Sequence, residues 1–93
     1  MTYKIQFETD YIPNEGEGVA GVKTLAEASK IAMATFKEKA DGYAGNGYCT
    51  TFTVDSSIED SHHNVVGCLM AAGFHNKKTG EVTVELARVL PED

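Results

Sequence analysis

Apolar and polar residues alternate at the start of the chain, with Tyr3, Ile5 and Phe7 in one phase and Lys4, Gln6 and Glu8 in the other. A period of two places successive side chains on opposite faces of a strand, so this segment predicts a half-buried strand. Across residues 24–42 the period lengthens. At about 100° per residue, Leu25, Ala28, Ala32, Phe36 and Ala40 fall on one stripe with Met33 at its edge, and Glu27, Lys30, Lys37, Glu38 and Asp41 fall opposite. This is an amphipathic helix with both ends specified. Thr24 and Glu27 make a capping box at its start, and Gly42 is placed to take the left-handed conformation that closes a helix.

After the turn residues Gly45, Asn46 and Gly47, alternation returns: Tyr48, Thr50, Phe52 and Val54 in one phase, Cys49, Thr51, Thr53 and Asp55 in the other. Residues 65–74 are apolar in both phases and uncharged, which suits an interior strand, with Gly67 and Gly73 marking close packing or a bulge. The segment from Asn76 to Gly80 reads as a short hairpin connection into Val82, Val84 and Leu86, so the last two strands should pair antiparallel. Residues 18–23 add a candidate short strand. The expected fold is α+β: an antiparallel sheet of four or five strands with one helix packed on one face.

At 93 residues the chain makes one domain, residues 1–93. Its apolar runs fall far short of the roughly 20 residues that span a bilayer, and the N-terminal residues lack the pattern of a signal peptide. A cytoplasmic protein without a membrane partner is the expectation. The two cysteines, Cys49 and Cys68, have no metal or redox spacing. A hairpin turning at Ile58 and Glu59 would bring them face to face, close enough for a cross-strand disulfide, with free thiols as the alternative.

Charge changes the picture more than composition does. Fourteen acidic residues against eight basic ones leave a formal net charge of −6, which disfavours direct binding to nucleic acid. The acids cluster. Glu8, Asp10, Glu15 and Glu17 lie in one stretch without a compensating base, and Asp55, Glu59 and Asp60 lie in a second, both expected in loops or at strand ends. Such segments suit docking on the basic surface of a protein or nucleoprotein complex, and equally suit plain solvation. Tyr11 supplies an aromatic anchor within the first stretch, unless it continues the buried phase of Tyr3, Ile5 and Phe7. Ile58 poses the same choice in the second stretch, as an anchor or a plug for the core.

His62 and His63, near Asp55, Glu59, Asp60 and Asn64, make the one cluster with metal-ligand chemistry, but adjacent residues of a strand point to opposite faces. Ser56, Ser57 and Ser61 accompany them without an oxyanion-hole or nucleophile-elbow pattern, so no catalytic residue and no cofactor is expected. The glycines of NEGEGVAG carry two carboxylates and no P-loop lysine, and read as turns.

An opening strand TYKIQFE, a helix of the type TLAEASKIAM and following antiparallel strands, in a short acidic chain, resemble the small proteins of phages and mobile elements, including anti-CRISPR inhibitors. The resemblance implies a non-catalytic inhibitor in the host cytoplasm that blocks a basic nucleic-acid-binding surface of its target. On the charge pattern, the residues expected to meet such a partner are Asp10, Tyr11, Glu15, Glu17, Asp55, Glu59 and Asp60. The competing expectations are a homodimer formed through an exposed strand edge and, third, a small metal-binding or hydrolytic protein using His62 and His63.

Overall fold

The structure is a computed structural model that describes residues 1–92. Six strands and one helix follow one another as β1 (Thr2–Thr9), β2 (Ile12–Pro13), β3 (Val19–Val22), α1 (Leu25–Gly45), β4 (Tyr48–Glu59), β5 (Val65–Asn76) and β6 (Val82–Glu92). The strands form one antiparallel sheet in the order β2-β1-β6-β5-β4, and β3 shares the outer edge of β1 with β2. The expected α+β fold is therefore present. Its strand count exceeds four or five because two short pieces, β2 and β3, both add to the free side of β1.

The helix begins where its capping box predicts, with the Glu27 backbone N–H donating to Thr24 Oγ1 at 3.1 Å. It does not stop at Gly42. It runs to Gly45, where Asn46 closes it by donating from Nδ2 to the Gly42 carbonyl at 2.8 Å. Packing favours the extra turn over glycine's preference for an end, because Tyr43 stacks on Phe74 of β5 with ring centroids 4.4 Å apart.

Helix and sheet meet through small residues. Ala28 and Ala32 of α1 and Ala87 of β6 are fully buried, which brings the helix close to the sheet and lets Ile5, Phe7, Met70 and Val89 fill the core around them. Leu25, Ile31 and Phe36 pack at its margin, while Met33 turns out to solvent. In β6 the phase that faces the helix is Thr83, Glu85, Ala87 and Val89, opposite Phe74, Ala72, Met70 and Cys68 of β5. Val84, Leu86, Arg88 and Leu90 consequently lie on the second face, which carries no helix.

Phase also changes inside β4. A register shift between Thr50 and Phe52 leaves Tyr48 and Thr50 on the helix side and turns Phe52, Val54 and Ile58 to the open face, so the alternation expected to place Tyr48, Thr50, Phe52 and Val54 together is broken by a bulge. The hairpin to β5 turns at residues 60–64, beyond Ile58 and Glu59. Cys49 consequently pairs opposite His75 and Cys68 opposite Ser57. The cysteines do not face one another; Cys49 is an exposed free thiol and Cys68 a buried one.

Candidate functional site: an acidic sheet edge and a carboxylate cleft

The two acidic stretches are held apart by the sheet. Thr9 of β1 lies level with Glu85, Ala72 and Thr53 of the next three strands, so the two edges are separated there by roughly 14 Å. From that row β1 continues one way into Asp10 and Tyr11, and β4 continues the other way towards Glu59 and Asp60. The seven charged and aromatic candidates therefore occupy opposite edges and opposite ends.

Several of them have local work in the fold. Asp10 takes a positive φ of 51°, and its Oδ1 accepts from the Val84 N–H at 2.9 Å, extending the β1–β6 ladder with a side chain. Asp60 Oδ1 accepts from the backbone of His62 at 2.8 Å and of Asn64 at 3.0 Å, and the Asn64 bond first, then that of His62, holds its carboxyl below the usual range. Glu17 pairs with Lys39 of the helix. Among the described residues that leaves Glu15, Asp55 and Glu59 without a hydrogen-bond or ion-pair partner. Asp55 stands within β4 rather than in a loop, and Glu59 is the last residue of that strand. Tyr11 is exposed, in a turn where its φ is 67°, and does not continue the buried phase of β1.

His62 and His63 belong to the same tight turn, His63 with a φ of 63°. Among the described residues no three or more His, Cys, Asp or Glu side chains converge as a metal site.

β4 is the outermost strand on its side of the sheet. It is twelve residues long and exposed along nearly its whole length, without a lysine, arginine or proline to blunt its unpaired edge. Ile58 is half-buried, whereas Phe52 and Val54 are each 44 % exposed. On the open face these three join the half-buried Leu69 of β5 and Val84 of β6 in an apolar stripe, with the buried Ala71 and Leu86 between them. The Phe52 ring lies across Gly73, where a Cβ would collide with it. The stripe and the acidic edge belong to the same strand.

A second feature escaped the sequence patterns. At the C-terminal end of α1, a cleft of about 590 Å³ opens between the helix and the ends of β4, β5 and β6. Tyr43 and Tyr48 meet there edge to face at 5.1 Å, with Asn46 and Asn76 beside them and Glu85 buried at 3 % exposure. Glu85 Oε1 accepts from Lys39 Nζ at 2.9 Å and from Thr9 Oγ1 at 3.2 Å, whereas Oε2 is buried without a hydrogen-bond partner. Lys39 also stands over the Phe7 ring, 5.1 Å from its centroid. Burial pulls the Lys39 ammonium down, but the carboxylates of Glu17 and Glu85 outweigh it and the proton is held above the usual lysine range. The Tyr43 phenol is pushed up to about 12, first by burial and then by the charges of Glu85 and Asp10.

No family model matches the chain, and no curated protein or solved structure shows a significant match to it. No helix among the described residues is long and apolar enough to cross a membrane.

Proposed function

We propose that the protein is a non-catalytic binding protein that takes up a partner protein along the outer edge of β4 and the apolar stripe beside it. The observation that carries this reading is the β4 strand itself: a long unpaired edge with Phe52 and Val54 exposed on one face and Asp55 on the other. An extended segment of a partner adds to such an edge through main-chain hydrogen bonds, while apolar side chains on one face and carboxylates on the other select what is added. Lysine or arginine beside an apolar anchor is the chemistry that complements Asp55, Glu59, Phe52 and Val54. A basic nucleic-acid-binding surface offers that chemistry, and covering it would make the protein a stoichiometric inhibitor of the anti-CRISPR type. The stretch around Tyr11 and Glu15 lies on the opposite edge and takes no part in this contact.

The test places a photo-cross-linker at Thr53 in β4 and maps the captured protein by mass spectrometry. Cross-links to a lysine- or arginine-rich segment, lost at high salt and in Phe52→Asp and in Asp55→Lys with Glu59→Lys, are expected. Capture unchanged in these variants would overturn the reading. Cross-links from Thr53 to a second copy, with dimeric mass by light scattering, would replace the basic partner by a homodimer.

A further inference from the structure

We infer that the cleft at the C-terminal end of α1 is a binding site for a small organic cation with a guanidinium or ammonium head. Glu85 lines it, and its Oε2 is buried without a donor in hydrogen-bonding geometry, the Tyr43 phenol being near enough to interact with the carboxylate but not to satisfy that oxygen. A buried acceptor without a donor is costly, and a ligand N–H is the group that relieves it. The aromatic wall adds to the preference, since the edge-to-face pair of Tyr43, backed by Phe74, and Tyr48 carries π density that attracts a cation in a site partly withdrawn from water. The helix contributes in the same direction, because its last turn carries no basic residue to offset the partial negative charge of its terminal carbonyls.

Charge in the neighbourhood stays negative after internal pairing. Lys39 is the cationic side chain lining the cleft, and it is shared between Glu17 and Glu85 Oε1. The carboxylate of Asp10 acts on Tyr43, and that of Glu81 acts on Tyr48. A planar guanidinium has two parallel N–H donors, enough to bond Glu85 and the side-chain carbonyl of Asn46 together, the Asn76 carbonyl being taken by the backbone of Lys78 and Thr79. An anionic ligand would meet these carboxylates, and a neutral one would leave the charge unanswered. This site is separate from the apolar stripe of β4, touching that strand only at its first residue, Tyr48.

The inference is tested by nuclear magnetic resonance titration with n-butylguanidinium, with n-butylammonium as the second cation and n-butylurea as the neutral isostere. Shifts confined to Tyr43, Tyr48, Asn46, Asn76 and Glu85 are expected for the cations, with n-butylurea about ten-fold weaker or silent, as a charge-assisted bond exceeds a neutral one. Glu85→Gln should weaken n-butylguanidinium by about ten-fold. Tyr48→Ala, at the half-buried rim, should weaken it several-fold and serves if Glu85→Gln does not fold. Equal binding of n-butylurea, shifts centred on Asp55 and Glu59, or affinity unchanged in whichever variant folds would overturn the assignment.

Discussion

Glu85 and Lys39 show how much one residue pair governs here. Lys39→Met would leave Glu85 buried with only Thr9 bonded to it, and should cost about 3 kcal/mol, read as a lower denaturant midpoint. Adding Glu85→Gln to that variant should recover part of the loss, because the uncompensated charge is then gone. The pair also sets the response to alkali. Lys39 and Tyr43 both hold their protons more tightly in the folded protein than in the unfolded chain, so their contribution is fully present below the ordinary tyrosine value of 10.0. It is lost as pH rises towards about 12. Unfolding followed across this range should show falling stability, with a late phenolate titration that Tyr43→Phe removes. None of this was legible in the sequence. A glutamate in an alternating strand ordinarily marks the wet face, and its partner lies 46 positions away on another element.

At the level of elements the outcome was mixed, for reasons that particular residues make clear. The N-terminus of α1, the alternation of β1 and the hairpin at Asn76–Gly80 are set by local chemistry, and each stands where its pattern placed it. Thr24→Ala should accordingly cost about 1 kcal/mol of stability. Long-range contacts governed the rest. Tyr43 carried the helix past Gly42 by finding Phe74, and the bulge at Thr51 reversed the faces of Phe52 and Val54, which period-two counting has no means to show. The two interior glycines differ in the same way. A Cβ at Gly67 would collide with the Val89 carbonyl, part of the β6 backbone, whereas one at Gly73 would meet the Phe52 ring and Thr51 Oγ1, exposed side chains rather than backbone. Gly67→Ala should therefore lose about 3 kcal/mol or fail to fold, and Gly73→Ala should lose less while displacing Phe52, as thermal denaturation of the two variants would show.

Seen whole, the molecule is elongated, 45 × 26 × 20 Å along its principal axes, with the helix on one face of the sheet and no helix on the other. Charge reversal at Asp55 and Glu59 should abolish partner capture at moderate salt yet leave the denaturation midpoint within about 0.5 kcal/mol of the parent, because both side chains are exposed and unpaired. Reversal of Glu15 on the far edge should change neither. Sequence alone located these acids but not their separation, which follows from strand order. That order also has a consequence in time. β1 forms its full-length ladder with β6, Thr2 bonding Glu92 across 90 positions of chain. During synthesis the helix and the β4–β5 hairpin can form as soon as they emerge, while the first strand gains its long ladder only when the β6 residues have been added. Until then Ile5 and Phe7 have only the short strands β2 and β3 beside them. Once β6 arrives, the two ends of the described chain lie side by side. A short linker joining them, with new ends opened in the Asn76–Gly80 turn, would put β6 and β1 together in a continuous hairpin and let the sheet assemble from its centre.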